Sequence, residues 1–254
     1  MIKPTHPLST EKEAHKATLW QRLLDKIYPQ HCLLCRAPSQ NMSLCSGCQN
    51  DLPSNHNACW RCAQPLEGAA QHSALICAHC LKKPLAIDRC IVPFRYHSPI
   101  DFMIKQLKFQ QKLVYAPLIA ELMLPALKQE TDLPQLILPV PLHSARLQQR
   151  GFNQSQEIAL HLAKRLNLTC RYDLLTRRTN TRSQTELTAK LRQKNIKGAF
   201  QVRKTIPAKR VALIDDVMTS GATANELAKT VKQAGVEEVQ LWAFARAGAP
   251  LRQS

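Results

Sequence analysis

Eight of the ten cysteines lie in the first 80 residues and form four Cys-x-x-Cys pairs. Two intervening residues let both thiolates of a pair face one ion, and two pairs complete a tetrahedral site of the structural zinc type. Four consecutive pairs therefore predict two structural zinc ions. The predicted ligands are Cys32, Cys35, Cys45, Cys48, Cys59, Cys62, Cys77 and Cys80.

The spacing leaves the pairing open, because sequential and interleaved arrangements both satisfy it. His79 lies between the last two cysteines and is either a replacement ligand or a surface residue. Disulfides are one alternative, but they require an oxidising compartment, and the N-terminus does not predict export to one. An iron–sulfur cluster is another alternative, and the regular spacing of the pairs favours zinc over it. Each zinc tetrathiolate carries −2, so two sites lower the formal charge from +17 to about +13.

A second motif runs from Val211 to Thr223 and reads VALIDDVMTSGAT. Four apolar residues predict a buried strand, Asp215 and Asp216 follow it, and a loop of small residues leads into a helix. Such a loop places backbone N–H groups and hydroxyls around one anion at a helix N-terminus. The predicted phosphate ligands are Thr219, Ser220, Gly221, Ala222 and Thr223.

Carboxylates repel phosphate and accept hydrogen bonds from hydroxyls, so Asp215 and Asp216 suit a vicinal diol. A diol beside a phosphate is a ribose 5-phosphate. The alternative, a strand–turn–helix with N-cap residues, leaves the paired carboxylates unexplained. We expect the end of the strand that carries them to face solvent.

The elements that must position these residues form an alternating α/β domain with a parallel sheet. Before the first cysteine, Trp20 to Ile27 predict a helix, and residues 177–198 predict a long loop with at least one helical turn. Strands are predicted at 91–96, 136–140, 211–214 and 239–245, and helices from residue 100, at 116–129, at 157–166 and at 224–233. The predicted organisation is a tail and helix (1–30), a cysteine-rich zinc module (31–87) and the α/β domain (88–254).

The distribution of charged residues along the chain indicates which class of partner the protein binds. Residues 171–210 hold 12 basic and 2 acidic side chains, a density that predicts a polyanionic partner, although a soluble basic surface is the alternative. Aromatic residues make up 5% of the chain, so nucleic-acid binding there would be mainly electrostatic. The sequence has neither a membrane-length apolar stretch nor a secretory signal, so we expect a cytoplasmic protein.

The motif from Val211 to Thr223 resembles the phosphoribosyl-diphosphate signature of type I phosphoribosyltransferases. The resemblance implies that Asp215 and Asp216 bind the ribose hydroxyls and that the loop from Thr219 binds the 5-phosphate. It also implies a Mg2+ ion on the diphosphate. The implied fold is a type I phosphoribosyltransferase-like domain preceded by the zinc module.

Two further segments extend the likeness. The first, Pro139 to Ser155, contains Arg146 and Arg150. The second, Arg177 to Phe200, carries the pattern Thr181, Gln184, Leu187, Arg192, Asn195, Phe200. With the zinc module, they resemble the ComF competence family from about residue 19 to 246. That family resemblance implies a role in natural transformation, handling single-stranded DNA with a helicase-like translocase and recombination factors, or in the use of DNA as a nutrient.

The same resemblance implies a diphosphate loop at Val140, Pro141 and Leu142, with Arg146 and Arg150 neutralising the diphosphate. Either arginine is alternatively a solvated or DNA-facing charge. The segment from Arg177 to Lys197 corresponds to a flexible loop that closes over the site. The candidates there, for this loop or for nucleic acid, are Arg177, Arg178, Arg182 and Arg192. Gln148 departs from the family, whose members often have a basic residue at this position.

No spacing assigns a general base, so catalytic residues stay unassigned and enzyme status stays open. The first hypothesis is a competence protein that binds single-stranded DNA and phosphoribosyl diphosphate or a related ribose-phosphate ligand. The second is an active phosphoribosyltransferase, a glycosyltransferase, on an unidentified acceptor. The third is a domain that senses phosphoribosyl diphosphate without chemistry.

Overall fold

The computed structural model describes residues 31–39, 42–66, 75–179 and 196–248. The chain divides into two compact units, Met1–Asp51 and Leu52–Ser254. The second cysteine group therefore belongs to the same unit as the α/β sheet. The helix predicted between Trp20 and Ile27 lies outside the described residues.

In the first unit, the described backbone forms a short knuckle closed by a β-bridge between His31 and Pro38. The amide of Arg36 donates to the Cys32 carbonyl at 2.9 Å. Helix α1 (Ser46–Asn50) follows, with Cys45 as its N-cap. These turns bring the four cysteines of this unit together.

The second unit is built on a parallel sheet, and this confirms the predicted α/β class. Its six strands are β1 (Arg89–Ile91), β2 (Phe94–Arg95), β3 (Leu136–Pro139), β4 (Thr169–Cys170), β7 (Arg210–Met218) and β8 (Glu238–Arg246). Their order is β1-β8-β7-β3-β4, with β2 also paired to β8, and every pairing is parallel. A separate antiparallel pair consists of β5 (Leu175–Arg177) and β6 (Phe200–Val202).

This unit has one helix before the first strand and five helices in the connections between later strands. They are α2 (Ala78–Lys82), α3 (Ile100–Phe109), α4 (Tyr115–Lys128), α5 (Ser144–Arg150), α6 (Gln154–Leu166) and α7 (Ala222–Gln233). Helix α3 buries Ile100, Met103, Ile104 and Leu107, the face that the helical periodicity predicts. Asn153 caps α6 because its side-chain oxygen accepts from the Ser155 amide at 3.1 Å.

The core lies around β7 and β8. Residues Val211–Ile214 and Leu241–Ala245 are fully buried, as expected for central parallel strands covered on both faces. Their register pairs Asp215 with Ala243 and Met218 with Arg246. The carboxyl ends of β3 and β7 meet at one edge, where ligands bind in open α/β sheets.

Three local expectations differ from the structure. Strand β7 runs on to Met218, so the two aspartates lie within it and not after it, because residues through Met218 keep their pairing with β8. The expectation that this strand end faces solvent is wrong for Asp216, which is 2% exposed. The strand predicted at 91–96 is two short strands separated at Val92 and Pro93, since proline cannot donate to a ladder.

Candidate functional site

The first cysteine group gathers Cys32, Cys35, Cys45 and Cys48, whose sulfurs all lie within 4.8 Å of one another. The Sγ atoms of Cys35 and Cys45 are 3.5 Å apart. Tetrahedral zinc with bonds of about 2.3 Å separates its sulfurs by roughly 3.8 Å, so the four thiols fit one zinc ion. Cys32 is buried, whereas Cys35 is exposed.

The second group gathers Cys59, Cys62, Cys77 and Cys80 within the same limit. The Sγ atoms of Cys62 and Cys77 are 3.7 Å apart, and the Cys77 amide donates to the Cys59 sulfur at 3.2 Å. Amide-to-sulfur bonds of this kind stabilise a metal-bound thiolate. Cys59, Cys62 and Cys80 are buried within the hydrophobic core of the second unit.

These groups decide the pairing that the spacing left open: consecutive pairs combine, and the interleaved arrangement does not occur. His79 is exposed and outside the second group, so the surface interpretation holds. Closed four-thiolate sites have no vacant position for a substrate and are structural.

Sequence reasoning missed a repeat between the two knuckles. The segments HCLLCRAP (31–38) and ACWRCAQP (58–65) share their cysteine and proline positions. Both close with a β-bridge, and the residue after the second cysteine, Arg36 or Ala63, has a positive φ. The sequence signal that could have revealed this repeat is the proline three residues after the second cysteine of each knuckle.

A pocket of about 590 Å³ lies at the carboxyl edge of the sheet, and Asp215 and Asp216 both line it. Asp216 is buried, accepts from the Gln154 amide at 3.3 Å and forms an ion pair with Lys108. Asp215 is half-buried and accepts from the Ser155 hydroxyl at 3.1 Å. The pocket thus holds two adjacent carboxyl groups, each anchored by the start of α6.

The two carboxyl groups ionise differently. Burial, together with the charge of Asp216, raises the pKa of Asp215 to about 7. Burial also opposes ionisation of Asp216, but the Lys108 ammonium dominates and holds the pKa of Asp216 below its usual value. At neutral pH the pair therefore combines one firmly ionised acceptor with one carboxyl group that can exchange a proton.

Lys108 had not been identified from the sequence. It lies near the end of α3, and its spacing in the helix is that of an ordinary solvated lysine. Only the fold shows that this helix end reaches the carboxyl edge of β7.

The predicted phosphate loop also lies at the pocket. Gly221 has φ +73° and precedes α7, whose first N–H groups lack acceptors within the helix. The positive φ favours glycine at this position, and a Cβ there would also lie 2.8 Å from Met218 Cε, the movable end of that side chain. Thr219, Gly221, Ala222 and Thr223 line the pocket, whereas Ser220 is exposed and accepts from the Ala222 amide at 3.4 Å.

The predicted diphosphate loop supplies Val140 and Leu142 to the pocket lining, and Pro141 is absent from it. Arg146 and Arg150 lie one turn apart on α5, a helix that had not been predicted, and both line the pocket. Arg150 donates to the Gln154 side chain and lies 5.7 Å from the centre of the Phe109 ring. Gln148 is exposed and lies outside the lining.

Five cationic side chains line the same pocket as the two carboxyl groups. They are Lys105, Lys108, Arg146, Arg150 and Arg177. Burial lowers the pKa of the Arg150 and Arg177 guanidiniums, which nonetheless stay charged at neutral pH. The cations outnumber the two carboxyl groups even though Lys105 pairs with Asp101 outside the lining, so the pocket attracts a multivalent anion that also carries hydroxyl groups.

Arg177 and Arg178 point to different environments. Arg177 is 8% exposed, lines the pocket and lies 5.6 Å from the Phe200 ring centre, whereas Arg178 is exposed. Elsewhere in the described part of 171–210, four cations form ion pairs with carboxylates: Arg171, Lys204, Lys209 and Arg210. Arg182 and Arg192, with most of the Thr181–Asn195 pattern, lie outside the described residues.

Within the described ranges, no helix combines the length and the apolarity needed to cross a membrane.

A parallel α/β sheet with a charged pocket at its carboxyl edge, combined with paired four-cysteine sites, defines an α/β protein with a zinc-ribbon module. The family model of the double zinc ribbon domain matches residues 23–87, which contain all eight predicted ligands.

The whole chain belongs to the competence protein F family. It is 34% identical over 226 residues to competence protein F of Haemophilus influenzae, covering 85% of this chain and 96% of that protein. It is 32% identical over 225 residues to the DNA utilization protein YhgH of Escherichia coli K12, covering 86% and 97%. Competence protein ComFC of Streptococcus pneumoniae is 25% identical over 153 residues, covering 60% and 66%.

Among solved structures, the glutamine phosphoribosylpyrophosphate amidotransferase of B. subtilis, in complex with ADP and GMP, aligns with a TM-score of 0.33 at 15% identity. The alignment covers 50% of this chain and 24% of that enzyme.

Proposed function

We propose that this chain is a cytoplasmic protein of DNA uptake or utilisation, whose pocket binds phosphoribosyl diphosphate with Mg2+ and whose outward basic surface binds single-stranded DNA. The observation that carries the ligand proposal is the pocket itself. It places two carboxyl groups, a small-residue loop at a helix N-terminus and five cations around one space.

Each part of the ligand has a matching group. The N–H groups at the start of α7 and the hydroxyls of Thr219 and Thr223 suit the 5-phosphate. Asp215 and Asp216 accept from the ribose hydroxyls, and Lys108 keeps Asp216 ionised for that role. Arg146, Arg150 and Arg177 oppose the charge of the diphosphate.

Mg2+ prefers carboxylate, phosphate and water oxygens as ligands. The half-buried carboxyl group of Asp215 would supply such an oxygen in this pocket. When bound, the ion would neutralise part of the diphosphate charge. The chain's own carboxyl groups would hold the ribose, and its cationic side chains would bind the diphosphate.

The DNA part of the proposal rests on family membership and on exposed cations. Arg178, Lys197 and Arg203 are exposed, and within the described ranges no carboxylate forms an ion pair with any of them. A helicase-like translocase and recombination factors are the partners that this role requires.

Arg177→Ala and Arg178→Ala form a matched pair of variants that tests both halves. Arg177→Ala is expected to weaken phosphoribosyl diphosphate binding about tenfold or more in calorimetry, because it removes a buried cation. Arg178→Ala is expected to leave that affinity unchanged. In salt titrations with a labelled oligothymidylate, it should instead reduce the slope of log K against log salt by about 0.7.

The ligand proposal fails if the wild-type chain binds no phosphoribosyl diphosphate in the presence of Mg2+. The DNA proposal fails if Arg178→Ala leaves the slope of log K against log salt unchanged and the double variant Lys197→Ala/Arg203→Ala leaves it unchanged as well.

A second candidate function, transfer of the phosphoribosyl group to an acceptor, is favoured by one observation. Asp215 has a pKa of about 7 and lines the pocket, so it can take a proton from a nucleophile at neutral pH. Acceptor-dependent release of diphosphate from labelled phosphoribosyl diphosphate, abolished by Asp215→Asn, is the expected result. Binding without release under all acceptors tested would indicate a sensing role.

A further inference from the structure

Arg246 connects the second cysteine site to the loop at the pocket. It is the last residue of β8 and is 8% exposed. Its Nε donates to the Cys62 carbonyl at 2.9 Å, and its Nη1 donates to the Met218 carbonyl at 3.1 Å and to the Thr219 carbonyl. One guanidinium therefore bonds the backbone of a metal ligand and the first residue of the phosphate loop.

The charge of Arg246 lacks a carboxylate counterpart in the part of the chain that the structure describes. Its remaining bonds go to the Ala247 carbonyl and to the Gln64 side-chain oxygen at 3.1 Å, both neutral acceptors. A buried cation without a counter-charge is costly. A zinc tetrathiolate at Cys59, Cys62, Cys77 and Cys80 carries −2 and supplies that counter-charge beside it.

A second contact path runs parallel to the first. The Cys90 thiol donates to the Arg61 carbonyl, within the knuckle, at 2.9 Å and lies 3.9 Å from the Met218 sulfur. The Met218 side chain in turn packs next to Gly221, since its Cε lies 2.8 Å from the position that a Cβ would take there. The knuckle is therefore connected to the loop by hydrogen bonds through Arg246 and by contacts through Cys90 and Met218.

We propose that the second cysteine site, acting through Arg246, positions the phosphate loop, so that the anion affinity of the pocket depends on the thiolate charge of that site. This inference rests on the proposed function for its binding readout. Arg246 is a positioning residue here, because the pocket lining does not include it.

Two kinds of variant of the full chain test the proposal. Arg246→Met removes the link, and Arg210→Met is the matched control, since Arg210 pairs with Asp132 at the amino end of β7, the opposite end of that strand from the loop. Cys77→His keeps a zinc ligand but changes the net charge of the zinc site from −2 to −1, because one of its four thiolates becomes a neutral imidazole, and Cys45→His does the same in the first unit. Zinc content is measured for every variant.

The first readout is calorimetric binding of inorganic diphosphate and of phosphoribosyl diphosphate. Arg246→Met and Cys77→His are expected to weaken both about tenfold, while Arg210→Met and Cys45→His keep wild-type affinity. The double variant Arg246→Met/Cys77→His should be no weaker than Arg246→Met alone, because the charge acts through the arginine. If Arg246 and Cys77 each supported the fold independently, the losses of affinity in the two single variants would add in the double variant.

The second readout needs no ligand. Amide hydrogen exchange of the peptide covering Met218 to Thr223 is expected to accelerate in Arg246→Met and Cys77→His and to stay unchanged in the two controls. If the wild-type chain binds neither anion but the exchange differs as expected, the proposed function fails and the positioning role stands. Unchanged exchange in zinc-loaded Arg246→Met overturns the inference.

Discussion

The knuckles at residues 31–38 and 58–65 are built alike, but only the second is packed into a large hydrophobic core. Each closes with a β-bridge, and each has a left-handed residue after its second cysteine. One of four cysteines is buried in the first site and three of four in the second. Knuckle geometry follows from a few neighbouring residues, whereas its environment depends on partners far along the chain.

The difference changes what each metal site stabilises. Cys59, Cys62 and Cys80 share a cluster with sheet residues such as Leu213 and Leu241. Structural zinc contributes folding free energy on the order of 10 kcal/mol per site. At the second site that free energy stabilises the unit that carries the pocket, and at the first it stabilises the unit ending at Asp51.

The largest expected difference is between Cys62→Ser and Cys35→Ser, which occupy the same position in the two knuckles. Cys62→Ser should lower the free energy of unfolding of the second unit by several kcal/mol, because it removes a buried ligand from the core. Cys35→Ser should leave the unfolding of that unit nearly unchanged. Scanning calorimetry with zinc analysis measures both, and equal losses in the second unit would break the comparison.

A smaller difference is expected in the release of zinc to a chelator. Cys35 is exposed, so the first site should lose its ion earlier than the second, giving two phases in a colorimetric assay. Cys35→Ser should abolish the fast phase and keep the slow one. A single phase, or a fast phase that persists in Cys35→Ser, would show that exposure does not separate the sites.

The smallest expected effect concerns pH and belongs to the second unit alone. Because the folded-state pKa of Asp215 is raised to about 7, its ionisation opposes folding, and the penalty grows as the pH rises from about 4 to 7. Asp215→Asn should therefore stabilise the chain at pH 8 by about 1 kcal/mol or more, or about 2–4 °C in Tm. The gain should vanish near pH 4, and a gain independent of pH would contradict the assignment.

Much of this molecule was predictable from local sequence. The cysteine groups, the small-residue loop before α7 and the apolar face of α3 depend on spacings of two to four residues, and the structure contains each of them. The parallel sheet followed from alternating strands and helices. The cysteine, loop and helix patterns were predictable because the residues that determine each of them lie within one element or one turn.

Long-range juxtaposition was not predictable. Lys108 pairs with Asp216 across more than a hundred residues, and Arg246 reaches Cys62 across 184. The cations of the basic segment 171–210 also lie in different environments, which its charge density did not predict. Arg177 is buried, Arg178 is exposed, and several other cations form ion pairs with carboxylates. A charge count does not show which way a side chain faces.

The central claim is that the pocket at the carboxyl edge of the sheet is a ribose-phosphate site. A crystal structure of the zinc-loaded chain with phosphoribosyl diphosphate and Mg2+ tests it most directly. The account predicts the 5-phosphate at the amides of Thr219 to Thr223, the ribose hydroxyls on Asp215 and Asp216, and the diphosphate beside Arg146 and Arg150. A ligand bound elsewhere, or a pocket left empty at saturating ligand, would contradict it.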